Sequence, residues 1–100
     1  MQQLPKSGEY YYHFKHDENV VNDHAYYVVG LAKHTENDEI LVIYKALYNV
    51  EWLKNDVLET FSARPLTMWL DMVDKPEYNY KGCRFTLITD SSLIEQLKKF

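Results

Sequence analysis

Hydrophobic and polar positions alternate most regularly between residues 26 and 48. Tyr26 to Lys33 divides into Tyr26/Val28/Gly30/Ala32 and Tyr27/Val29/Leu31, and Ile40 to Tyr48 into Ile40/Val42/Tyr44/Ala46/Tyr48 and Leu41/Ile43/Lys45/Leu47. Period-two runs rich in β-branched and aromatic residues are strand chemistry. The polar link from His34 to Glu39, with its Asn37-Asp38 pair, joins them as an antiparallel hairpin. Both faces of this hairpin are largely apolar, which predicts a central position with cover on each side.

The flanking patterns are shorter. Tyr10 to Lys15 is an aromatic strand in which Tyr10 and Tyr12 share one face and Tyr11 takes the other. Residues 1–8, with Pro5 and Ser7-Gly8, read as a flexible leader ending in a turn. The stretch from Val50 to Thr60 reads as a loop with at most one helical turn. Phe61 to Arg64 suits a short strand, and Pro65 is placed to start a helix. Leu66, Trp69, Leu70 and Val73 recur at i, i+3, i+4 and i+7, which predicts that helix through about Val73. Lys75 to Gly82 reads as a polar turn region, and Arg84 to Thr89 as another strand. Asp90 is a good N-cap, and Ser92 with Glu95 has capping-box spacing. A terminal helix over 90–100 should follow, with Leu93, Ile94, Leu97 and Phe100 on its apolar face.

The predicted fold is therefore mainly β with a minor α component: a small, strongly bent barrel or roll with one short inner helix and a C-terminal helix. At 100 residues and 46% hydrophobic content, residues 9–100 make a single domain. The formal charge of −4 is spread evenly, with no basic block, and this disfavours nucleic acid as a partner. One cysteine, Cys83, forms no internal disulfide and suits a reducing compartment. With no signal-like amino terminus and no membrane-length apolar run, the expected location is the cytoplasm.

Five blocks carry a resemblance: Tyr11–Lys15, Tyr27–Glu36, Leu41–Tyr48, Arg64–Trp69 and Arg84-Phe85. In order and content they resemble the bacterial DUF1653 family, over roughly residues 8–89. The resemblance implies a small SH3-like barrel or roll of unknown function and supplies no reaction. Three features extend beyond the short form of that family: the acidic loop at 17–23, the link at 49–60 and the terminal helix.

The polar and aromatic residues of these blocks form the candidate site: Tyr12, His13, Lys15, His34, Glu36, Tyr44, Tyr48, Arg64, Trp69 and Arg84. Folded onto one rim, they would hold an anionic or planar ligand, because arginine pairs bidentately with carboxylate or phosphate and aromatic rings offer stacking faces. The competing expectation is structural: Arg64 and Arg84 pair with Glu36 or nearby carbonyls, and the tyrosines fill a small core. His13, His16, Asp17 and His24 carry metal-ligating groups, but His13 and His16 point to opposite faces of a strand. No Gly-rich phosphate loop is present, and neither cofactor nor metal is expected.

The leading expectation is a binding module for a peptide, a partner protein or a small anionic ligand. An alternative is a small enzyme using His13 and His34 as acid and base, with Arg64 as anion anchor. A third is a structural homodimer formed through the terminal helix or an edge strand.

Overall fold

The structure is a computed structural model and describes residues 4–48 and 61–100. Among these residues seven strands form two antiparallel sheets, accompanied by two short helices. The strands are β1 (Tyr10–His13), β2 (Ala25–Lys33), β3 (Ile40–Ala46), β4 (Ser62–Pro65), β5 (Met72–Lys75), β6 (Tyr80–Cys83) and β7 (Phe85–Leu87). The helices are α1 (Leu66–Trp69) and α2 (Ser91–Leu97). The larger sheet runs β4-β3-β2-β1-β7, and β5 pairs with β6.

The β2–β3 hairpin lies at the centre of the larger sheet, as the alternation predicts. Its register shifts between Val28 and Gly30, making Val29 the extra residue of a bulge. Beyond the bulge the parity of β2 inverts. Leu31, opposite Val42, joins the face of Tyr26 and Val28, whereas Gly30 and Ala32 move to the other. Strict alternation along the sequence had assigned these residues the other way round.

One face of the sheet carries Tyr11, Tyr26, Val28, Val42, Tyr44 and Phe85, all buried together with Trp69 of α1. The Trp69 indole lies flat on Phe85, with ring centroids 3.9 Å apart and planes at 6°. The opposite face packs Ala25, Leu47 and Ile88 against Leu97 of α2, with Tyr10, Tyr12, Leu93 and Ile94 around them. The hairpin is therefore covered on both sides. Helix α2 begins as its sequence dictates, since the Asp90 carboxylate accepts hydrogen bonds from the amides of Ser92 and Leu93.

Two segments differ from the sequence pattern. The helix expected from Pro65 to Val73 ends after one turn at Trp69, and residues 72–75 extend as β5. Lys75 to Gly82, expected as a polar turn, forms the rest of a hairpin: a 3-10 turn at Pro76–Tyr78, then β6. Asn79 closes the turn in the left-handed conformation, with φ 50°, which asparagine tolerates better than most residues. The link at 49–60 lies outside the described residues. Of the expected leader, residues 4–8 are held to the sheet: Pro5 is buried, and the Gly8 amide donates to Val28 O at 2.9 Å.

Among the described residues the edge strands β4 and β7 do not pair, and the strands there do not close a barrel. Four strand spacings separate them, roughly 19 Å on a flat sheet. Yet the Arg64 guanidinium on β4 sits 5.2 Å from the centre of the Phe85 ring on β7. The sheet therefore curls around its Tyr26–Phe85 face, and that concave side is where chemistry converges.

Candidate functional site

At one end of the concave face, a cavity of about 370 Å³ is lined by His13, Phe14, Lys15, Arg64, Lys75, Glu77, Tyr78 and Arg84. Each element contributes in a way the local sequence explains. Tyr11 and His13 share a face of β1, so burial of Tyr11 in the core points the imidazole inward as well. Arg64 stands opposite Val42 in the β3–β4 register and so faces the core side. Arg84 occupies the break between β6 and β7, where its amide donates to Asp71 O and its carbonyl accepts from the Phe14 amide, both at 3.0 Å. The β5–β6 hairpin, absent from the sequence expectation, brings in Lys75, Glu77 and Tyr78.

Aromatic rings form the walls. Phe14 stacks with Tyr80 at 5.6 Å and meets Tyr78 edge-on at 5.6 Å. The Lys15 ammonium is 5.6 Å from the Tyr78 ring centre, within cation–π range. The Tyr80 phenol folds back to donate to Cys83 O at 2.5 Å, and a methyl at Gly82 would lie 3.0 Å from the phenol oxygen of Tyr80. Glycine at position 82 thus makes room for the ring that supports Phe14.

The electrostatics are uneven. Among the described residues Arg84 has one ion pair, to Asp71 at 3.8 Å, which is longer than a hydrogen bond. Its buried Nε has no hydrogen-bond partner among the described residues. Lys15, Arg64 and Lys75 form no ion pair among the described residues. Burial, and then the positive charges of His24, Arg64, Arg84 and Lys15, push the His13 imidazole down to about 4. His13 Nδ1 accepts a hydrogen bond from the Lys15 amide at 3.2 Å, so the neutral ring carries its proton on Nε2.

Four of the ten residues singled out from sequence therefore meet: His13, Lys15, Arg64 and Arg84. The other six lie elsewhere. His34 and Glu36 belong to the tip of the β2–β3 hairpin, where His34 Nδ1 accepts from the Glu36 amide at 3.1 Å. The nine residues of β2 separate His34 from His13, roughly 25 Å of extended chain, so the two imidazoles do not share a substrate. Tyr44 and Trp69 are core residues, with Trp69 fully buried. Tyr48 hydrogen-bonds Tyr26 between phenol oxygens at 2.6 Å, and this bond adds to burial in raising the Tyr26 pKa. Tyr12 faces α2, stacks on His16 and donates to Val21 O at 2.6 Å. Sequence reasoning missed Phe14, Lys75, Glu77 and Tyr78. The turn signal Pro76 to Asn79 was the clue to the hairpin that presents three of them.

Among the described residues no group of three or more His, Cys, Asp and Glu side chains is placed to hold a metal ion. No described helix is long and apolar enough to cross a membrane. A second cavity of about 400 Å³ lies against α2, lined mainly by Tyr10, Tyr27, Leu47, Phe61, Leu97 and Phe100. It is slightly larger and mostly apolar, and Lys45 and Lys98 also line it, the latter paired with Glu95 at 3.0 Å.

Fold and cavity together define a small, mainly β domain with a cationic, aromatic-walled cavity on the concave side of an open sheet. The profile of the family described as "Protein of unknown function (DUF1653)" matches residues 9–87, and the chain belongs to that family. The crystal structure of a DUF1653 protein from Bordetella bronchiseptica is similar at 30% identity, covering 83% of this chain and 86% of that one, with a TM-score of 0.59. No curated protein matches the chain.

Proposed function

We propose that the protein is a binding module whose concave cavity holds a small organic anion. One observation carries this reading: in a chain with a formal charge of −4, Lys15, Arg64, Lys75 and Arg84 line one cavity in which Glu77 is the single carboxylate among the described residues. Cations gathered in a partly enclosed, aromatic-walled space focus the field on a bound anion far more than scattered surface charges do. Phe14 and Tyr78 would take the apolar body of the ligand, and the volume suits a small molecule. A neutral His13 supplies a donor, and among the described residues no serine, threonine or cysteine lines the cavity beside it, which favours recognition over catalysis.

The test is an amide NMR titration with a panel of aromatic carboxylates and aromatic phosphates. Binding at this site moves the signals of Phe14, Lys15, Lys75 and Arg84. Shifts confined to Tyr10, Tyr27 and Leu97 would place the ligand against α2 and sink the proposal.

A further inference from the structure

We infer that the cavity selects dianions over monoanions, and so takes phosphate monoesters in preference to carboxylates or sulfate monoesters. The inference rests on the anion-binding reading above and sharpens it by counting charge. Lys15, Arg64, Lys75 and Arg84 contribute four positive charges. Glu77 in the lining and Asp71, paired with Arg84, remove two, which leaves a net charge of +2 among the described residues. A monoanion leaves one of these charges unmatched in a partly desolvated site, whereas a dianion neutralises both. The donors also suit a phosphoryl group. The two guanidinium groups come from separate segments, Arg64 from β4 and Arg84 from the break between β6 and β7, and the Arg84 group has donors left over beyond its long contact with Asp71. His13 adds a neutral N–H, because its proton sits on Nε2.

The groups facing His13 are its neighbour Lys15, His24 before β2, Arg64 from β4 and Arg84 before β7, all basic. Lys75 and Glu77 complete the cavity from the β5–β6 hairpin. In this setting the imidazole stays uncharged across the neutral range, so the pH dependence of binding belongs to the ligand. A phosphate monoester loses its second charge below a pKa of about 6, whereas a sulfate monoester is a monoanion throughout.

Calorimetric titration of the intact protein with phenyl phosphate and phenyl sulfate separates the alternatives, because the two differ in charge and hardly in shape. Phenyl phosphate is expected to bind at least about tenfold more tightly at pH 7.5, a difference of ~1.4 kcal/mol. Its advantage should shrink severalfold at pH 5.5. Equal affinity of the two at pH 7.5 would overturn the dianion inference while leaving the anion site intact. Binding of neither overturns both. Tightening of phenyl phosphate on acidification would show that a protonated His13 drives binding, and would also overturn it. A phosphotyrosine peptide forms the last arm. Tighter binding than phenyl phosphate assigns the phosphoryl group to a modified protein, and weaker binding assigns it to a free metabolite.

Discussion

His13 is the residue on which the chemistry of the cavity turns. Its placement follows from strand parity: burying Tyr11 turns His13 to the concave side, among Arg64, Arg84 and Lys15. An ordinary histidine titrates near 6.5, whereas burial and these cations hold this one at about 4. The unfolded chain therefore binds more protons than the folded one between those two values, and folding is weakened as pH falls through that window. The stability is fully present above about pH 6.5 and is lost progressively towards pH 4. Urea midpoints should fall between about pH 7 and pH 5, and His13→Gln should flatten the part of that slope due to residue 13. A His13 ring that titrates near 6.5 by NMR, with the same slope in the variant, would contradict this. Trp69 carries the opposite lesson. Read from sequence as an aromatic wall, it lies fully buried on Phe85, and so supports the site from beneath without lining it.

At the scale of elements, α2 is part of the core and more than a tail. Leu97 is 1% exposed and seals the cluster of Ala25, Leu47 and Ile88. Leu97→Ala should cost about 2–5 kcal/mol, and Asp90→Ala, which removes the N-cap, about 1 kcal/mol; denaturant unfolding measures both. If Leu97→Ala cost no more than the cap, the second core would be misassigned. This helix, like the β2–β3 hairpin, was legible because local signals agreed with one another, in its case capping residues and an apolar stripe. The β5–β6 hairpin was not. Leu66, Trp69, Leu70 and Val73 satisfy helical spacing, but Met72, Val73 and Asp74 equally satisfy strand alternation, with Val73 buried between two exposed neighbours. Over so few residues the two periods cannot be separated, and pairing with β6 decided the outcome. The bulge at Val29 escaped for a related reason, since only the partner strand reveals an extra residue.

At the scale of the whole molecule, what matters is where charge sits. Summed over the chain, acids outnumber bases and no basic block is visible, yet the fold draws Lys15, Arg64, Lys75 and Arg84 from four separate parts of the sequence into one space. Composition could not reveal this, because clustering is a property of topology. Reversing the two lysines, Lys15→Glu with Lys75→Glu, turns the local balance from +2 to −2. Phenyl phosphate affinity should fall at least about tenfold, while the melting temperature moves by no more than about 3 °C, since surface substitutions seldom change stability much. An unchanged affinity would remove the cavity from consideration. The open seam between β4 and β7 has a further consequence, for how such a domain diversifies over evolutionary time. Arg64 and Phe85 meet across a gap that no ladder hydrogen bond spans among the described residues. Substitutions along these two margins can therefore widen, narrow or recharge the mouth of the cavity while the β2–β3 hairpin keeps its register. The scaffold and the shape and charge of the cavity mouth are free to vary on separate schedules.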